Sequence, residues 1–303
     1  MKIGVILPSA QAVGMTSAPG YADIRRWAVQ AEESGFDSVW IFDHLLVRRA
    51  EFHQLGVWEA WTLMSALAEA TTRVEIGSWV MSVGFRNPAL LAKMAVTLDE
   101  VSGGRLILGV GAGNQRGEFD AFGFDYDHRI GRFAEAIGLI AALLREGRGS
   151  LEGDFFRILD CEIDPRGPRP LGPPLLIGAS GPRMLRLTAR FADAWNAHYL
   201  GGAGHIAPQR AALDAACAEV GRDPAEIATT VGEIVAFGAL SRPPAALTSF
   251  LDTTPEELGD LLHDYRLAGV DHLMLQCFPP DYDGALENLG VALARYRAGV
   301  PTT

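Results

Sequence analysis

Short apolar runs rich in β-formers alternate with stretches of helical period from the first residues to the end of the chain. The candidate strands are residues 3–7, 38–42, 74–80, 106–110, 175–179, 194–198, 229–237 and 272–277. Between them, Ile24, Trp27, Ala28 and Ala31 recur with the spacing of one helical face. So do Leu91, Met94, Ala95 and Leu98, and so do Ile130, Phe133, Ile137, Ile140 and Leu144. A last helix turns Leu286, Leu289, Leu293 and Tyr296 inward. Start and stop residues agree with this reading. Asn87-Pro88 sets a cap before a first-turn proline, Thr254-Pro255-Glu256-Glu257 has capping-box spacing, and Gly35 and Gly269 stand where helices end.

Strand and helix in alternation predict a parallel sheet covered by helices. Eight such units with no linker predict an α/β fold of one domain, a single (β/α)8 TIM barrel over residues 1–303, and not a doubly wound sheet. The dinucleotide fingerprint is also missing: the first strand runs into Pro8-Ser9-Ala10, and Gly109, Gly111 and Gly113 never complete G-x-G-x-x-G. Residues 147–174, with seven prolines and glycines from Pro165 to Pro174, read as an insertion between strands 4 and 5.

Composition narrows the partners. The chain is 49% hydrophobic and 21% charged, as expected of a compact soluble protein. Its net charge of −11 opposes nucleic-acid binding, which relies on Lys and Arg to neutralise phosphates. No run reaches the roughly 18 apolar residues of a membrane helix, and residues 3–7 are too short for a signal peptide, so the cytoplasm is expected. Cys161, Cys217 and Cys277 are odd in number and unpaired in spacing, and read as buried free thiols.

Barrel chemistry resides in the loops after the strands. Those loops offer Asp43-His44, Met81-Ser82, Gly111 to Asn114, Ser180-Gly181, His198 and Gln276. A Schiff-base aldolase needs a strand-end lysine, but the only lysines are Lys2 and Lys93. No metal is expected, because the seven histidines are scattered and show neither H-x-H nor H-E-x-x-H spacing. A glycosidase would have to pair Glu118 with Glu233.

What remains is an acid–histidine pair and two glycine turns. In Gly178-Ala179-Ser180-Gly181-Pro182, backbone N–H groups opening a helix would face an anion, with Arg183 or Arg186 adding charge; equally, Ser180 would simply cap that helix. Asp43-His44 closes an apolar strand abruptly, either as a reactive pair or as a turn cap beside a surface histidine. Trp58 and Trp61 read as core, and Arg25-Arg26 and Glu32-Glu33 as a solvated helix face.

Four separated motifs in order resemble the luciferase-like flavin and deazaflavin oxidoreductase family. They are Ala31-Glu32-Glu33-Ser34-Gly35-Phe36-Asp37-Ser38-Val39-Trp40 leading to Asp43-His44; Asn87-Pro88-Ala89 with Ala92-Lys93; Ser102-Gly103-Gly104-Arg105 running to Gly111-Ala112-Gly113; and Ile177-Gly178-Ala179-Ser180-Gly181-Pro182 with Ala192-Asp193-Ala194-Trp195. The order looks most like the deazaflavin (F420) branch. That resemblance implies His44 as the proton-transfer residue beside the reacting face of F420, with Asp43 orienting it or touching the cofactor. It also implies a non-proline cis peptide near Trp79-Val80, cofactor contacts from Ser82, Gly111 and Asn114, a phosphate seat at Ala179, Ser180, Gly181 and Pro182, a small-molecule substrate and a homodimer. Asn114 and Arg48 depart from the carboxylate and tryptophan of the family's sugar-phosphate dehydrogenases. The competing expectations are an FMN-dependent monooxygenase on the same barrel, a glycosidase, and a non-catalytic cofactor-binding protein.

Overall fold

Alternate side chains on each barrel strand part to opposite sides of the sheet, and this divides the buried residues into two clusters. Ile6, Trp40, Ile107, Leu176, Ala194 and Met274 fill the barrel interior. Their strand neighbours, such as Val5, Val39, Ile41, Leu108, Ile177 and Leu275, pack outward beneath the helices. The computed structural model describes all residues except 13–14, 50–51, 239–242, 244–247, 279–280 and 300–303.

The eight barrel strands are β1 (Lys2–Ile6), β2 (Ser38–Ile41), β3 (Glu75–Ser78), β4 (Leu106–Gly111), β5 (Leu175–Gly178), β6 (Ala194–His198), β7 (Ala228–Ala236) and β8 (His272–Gln276). Each pairs in parallel with its neighbours, and β8 pairs back onto β1, with Lys2 opposite His272, so the barrel closes. Around it, among the described residues, lie α1 (Tyr21–Glu33), α2 (Ala60–Ala70), α3 (Pro88–Val101), α4 (Arg116–Phe122), α5 (Arg129–Glu146), α6 (Pro182–Phe191), α7 (Ile206–Val220), α8 (Pro255–Leu267) and α9 (Tyr282–Arg297). The Asn87 cap and the Thr254–Glu257 capping box form as the sequence indicates. No helix among the described residues is long and apolar enough to cross a membrane.

The third strand stops at Ser78, short of the expected residue 80. The chain then turns inward through a cis Trp79–Val80 peptide, and Met81–Ser82 rejoins β4 opposite Val110 and Gly111. Glycines make room for that turn. A Cβ on Gly109 would fall 1.9 Å from the Ser78 carbonyl oxygen, and one on Gly111 would fall 2.7 Å from the Val80 side chain.

Several local expectations need correction. Trp58 is 49% exposed, because its indole Nε1 donates to the Pro19 carbonyl at 2.7 Å and leaves the ring at the surface. Glu32 is no mere solvated charge; its carboxylate accepts from the backbone N–H groups of Thr72, Arg73 and Val74. Arg25 and Arg26 do lie on an exposed helix face, where Arg26 pairs with Asp283 on α9. Cys217 and Cys277 are buried, but Cys161 is only half-buried.

Two antiparallel hairpins interrupt the βα rhythm. Arg148–Glu152 pairs with Arg157–Glu162 in the stretch before β5, and Arg169 anchors the rest of that stretch to Asp99 at 2.9 Å. Leu46–Arg49 pairs with Phe52–Gly56 after β2, beside the mouth of the barrel.

Candidate active site

At the carboxyl ends of the strands lies a cavity of about 520 Å³. It brings together Asp43, His44, Trp79, Val80, Ser82, Gly111, Asn114, Ala179, Ser180 and Gly181 from four strand ends. Pro182 does not line it; as the first residue of α6 it lies just behind the turn.

His44 reaches this cavity on the loop leaving β2. Its Nδ1 lies 3.0 Å from Glu118 Oε1, and the same carboxylate accepts from the Leu45 N–H at 2.9 Å. Glu118 is 1% exposed. An ionised carboxylate only accepts, so Nδ1 carries the proton and Nε2 is the lone-pair nitrogen when the ring is neutral. The expected orienting acid, Asp43, is engaged elsewhere. Its carboxylate accepts from the Ser82 N–H at 2.9 Å and from Arg86 Nη1 at 2.7 Å. Arg86 also donates to Glu59 at 2.6 Å, and Glu59 caps α2 through the Trp61 and Thr62 N–H groups. Burial works against the Arg86 charge, but the hydrogen bonds and charges of Asp43 and Glu59 outweigh it and hold its pKa above the ordinary value. Asp43 therefore fixes the Ser82 backbone beside the cavity, while Glu118 fixes the histidine.

On the opposite wall Trp79 Nε1 donates to Asn196 Oδ1 at 2.8 Å, and the Tyr199 hydroxyl donates to Gln276 Oε1 at 3.0 Å. Trp79 and Tyr199 meet edge to face at 5.5 Å. His198 has its ring open to the cavity, yet protein encloses most of its surroundings, and that desolvation lowers its pKa. The glycosidase pair does not assemble. Glu118 lines the cavity, but Glu233 does not, and its oxygens accept from the Tyr265 hydroxyl at 2.9 Å and the Gly201 N–H at 3.1 Å. Among the described residues no three His, Cys, Asp or Glu side chains gather as a metal site.

The glycine turn after β5 has room for a ligand. No side chain caps α6, and a Cβ on Gly181 would meet nothing within 4 Å. Arg186 turns away to Glu219 on α7 at 3.5 Å, while Arg183 stays exposed in the first turn of α6. Ser82 Oγ is buried with no hydrogen-bond partner, so a polar group inside the cavity would satisfy it.

The luciferase-like monooxygenase family profile matches residues 1–242. The chain belongs to that family. Within it, this luciferase-like chain is 37% identical over 182 residues, 58% of its length and 53% of the relative's, to a protein named F420-dependent glucose-6-phosphate dehydrogenase from Amycolatopsis mediterranei. It is 34% identical over 227 residues, 69% of its length and 61% of the relative's, to a phthiodiolone/phenolphthiodiolone dimycocerosates ketoreductase from Mycobacterium kansasii. The matches thus span little more than half of these curated relatives. A solved F420-dependent secondary alcohol dehydrogenase, in complex with an F420-acetone adduct, superimposes with a TM-score of 0.79 at 20% identity, covering 98% of this chain and 99% of that one, and shows the same fold.

Sequence reasoning weighed Glu118 only as a glycosidase acid and missed Arg86, Asn196 and Tyr199. The one available cue was an acidic residue in the seven-residue α4 directly after a strand-end glycine turn.

Proposed function

We propose that this chain is a coenzyme F420-dependent oxidoreductase that moves a hydride between the deazaflavin C5 and a small organic substrate, with His44 handling the accompanying proton. The observation that carries this reading is the His44–Glu118 pair, 3.0 Å apart, at the edge of a cavity with an open glycine turn. The 37% identity to a relative named as F420-dependent supports the choice of cofactor.

The residues present fit the group. The Ala179, Ser180 and Gly181 turn with the start of α6 would hold the phosphate through backbone donors. Ser82 would offer its unpartnered hydroxyl, and Trp79, Val80, Gly111 and Asn114 would flank the ring system. F420, when bound, supplies a two-electron carrier that gives or takes a hydride at C5. The protein supplies the rest. His44 Nε2 gives a proton to the substrate heteroatom or takes one from it. Glu118 fixes the tautomer and stabilises the imidazolium when it forms. Asp43 holds the Ser82 backbone through Arg86-paired oxygens and makes no bond to His44.

The same reading takes the protein to be a homodimer, which light scattering at micromolar concentration checks and a monomer mass would overturn. It also places the chain in the cytoplasm as one folding unit; its three free thiols suit a reducing compartment. Parallel titration with F420 and FMN tests the cofactor assignment. Oxygen consumption with reduced FMN would instead identify a flavin monooxygenase.

A further inference from the structure

The closed strand order divides the cavity into two unlike walls. Along the ends of β3, β4 and β5 it is lined mainly by the small residues Ser82, Gly111, Ala179 and Gly181, with Val80 and Trp79 beside them. Along β8, β1, β2 and the hairpin after β2 it is lined by Ile6, Pro8, Phe42, Val47, Leu55 and Phe278. His44 stands where the two walls meet, bridged to Glu118 at the far side of the β4 turn.

No lysine or arginine is among the described residues that line this cavity. Its two carboxylates belong to Asp43, already paired with Arg86, and to Glu118, already facing His44. An anionic substrate on the apolar wall would lose its hydration with no cation to replace it, and it would approach Glu118. An apolar arm on that wall would instead release water from both surfaces. The Tyr199 hydroxyl and the Gln276 amide oxygen bond each other, and His44 at the junction of the walls offers Nε2 to a polar atom of the substrate.

We propose that the substrate is an uncharged carbonyl compound with apolar arms, or the alcohol formed from it, seated on the Ile6, Phe42 and Leu55 wall with its oxygen at His44. This rests on the proposed function for the identity of the hydride carrier and for the wall that the carrier takes. In the reducing direction the C=O π bond breaks, a C–H bond forms with the hydride from reduced F420, and an O–H bond forms with the His44 proton. F420 is oxidised as the carbonyl is reduced. A phosphorylated sugar does not match the wall, whatever the relative named for glucose 6-phosphate acts on.

Ligand-observed NMR of the full chain, with and without F420, reads binding apart from turnover. Cyclohexanone and glucose 6-phosphate are the probes, and F420 affinity is measured on the same samples. Wild-type protein is expected to bind cyclohexanone in preference to glucose 6-phosphate. Leu55→Arg puts a cation on the apolar wall and should weaken cyclohexanone binding by about tenfold, with F420 affinity kept within about twofold. Val47→Ser, a milder change on the same wall, should weaken cyclohexanone binding in the same direction should Leu55→Arg fail to fold. Preferential glucose 6-phosphate binding overturns the proposal, as does unchanged cyclohexanone affinity in a folded wall variant. Protein that binds cyclohexanone on this wall but not F420 rejects the cofactor assignment while supporting the apolar site. Protein that binds F420 and glucose 6-phosphate but not cyclohexanone does the reverse.

Discussion

His44 and Glu118, 74 residues apart in sequence, meet at 3.0 Å through Nδ1 and Oε1, and this contact turns a strand-end histidine into an oriented one. Removing the ring should remove the proton path and little else. His44→Ala is expected to lower single-turnover hydride transfer by about 10²- to 10⁴-fold while retaining most F420 affinity. Glu118→Gln still offers an oxygen to Leu45 N–H but no charge to the imidazolium, so kcat should fall while KM, F420 affinity and Tm hold. Wild-type rates in His44→Ala between pH 6 and 8 would refute the proton role, and loss of F420 affinity alone would make His44 a cofactor contact.

Gly181 separates the two readings of the turn after β5. A Cβ there meets nothing within 4 Å, so Gly181→Val should fold normally and place its methyls in the space where an anion would sit. F420 affinity should drop by about tenfold or more, on the order of one lost anion contact. Unchanged affinity in a protein with wild-type Tm would leave the turn as a plain helix start.

Asp43 makes a stability prediction. Its side chain is fully buried against Arg86, which is itself only 10% exposed. Asp43→Ala strands that guanidinium with Glu59 as its remaining partner and frees the Ser82 N–H, which should cost about 3–5 kcal/mol in urea unfolding. A loss below about 1 kcal/mol would mean that water or Glu59 takes over the pair.

The barrel was legible because its signals are local. Strand and helix periods, the Asn87 and Thr254 caps and the Gly35 and Gly269 stops each lie within a few residues of what they determine. The site's supporting bonds were not, because they join distant segments: Arg86 to Asp43, Glu118 to His44, Trp79 to Asn196. Nothing in an isolated Asp43-His44 dipeptide reveals that its two side chains part to different partners. The Leu46–Arg49 and Phe52–Gly56 hairpin escaped for a different reason: Leu-Val-Arg-Arg and Phe-His-Gln-Leu-Gly show no two-residue alternation, with Val47 and Leu55 lining the cavity and Leu46 buried. Trp58 misleads in the opposite direction: it stands three residues before Trp61, yet it lies ahead of α2 and its indole hydrogen bond holds it at the surface.

A buried neutral relay makes stability fall in acid. Trp40 Nε1 donates to Ser38 Oγ at 2.7 Å, and Ser38 Oγ shares a second hydrogen bond of 2.7 Å with His272 Nε2. Burial, with smaller contributions from Lys2 and the N-terminus, lowers the His272 pKa from 6.5 to about 3. The unfolded chain therefore binds a proton that the folded one refuses between those values. Its contribution to stability is complete above pH 6.5 and is lost as pH falls towards about 3. From pH 7 to pH 5 the His272 share is about 2 kcal/mol. His198 acts in the same direction, while Glu233, raised by burial, acts in the opposite one. The difference between wild type and His272→Gln isolates His272: the variant should show a flatter dependence of unfolding free energy on pH across this range, and an equally steep one would refute the account.

The most direct test of the central claim is a fluorescence titration of the wild-type chain with F420 and, in parallel, with FMN. The account predicts saturable F420 binding at micromolar or lower concentration and FMN binding at least about tenfold weaker. Clear FMN binding with no detectable F420 binding would contradict it and leave only the barrel standing.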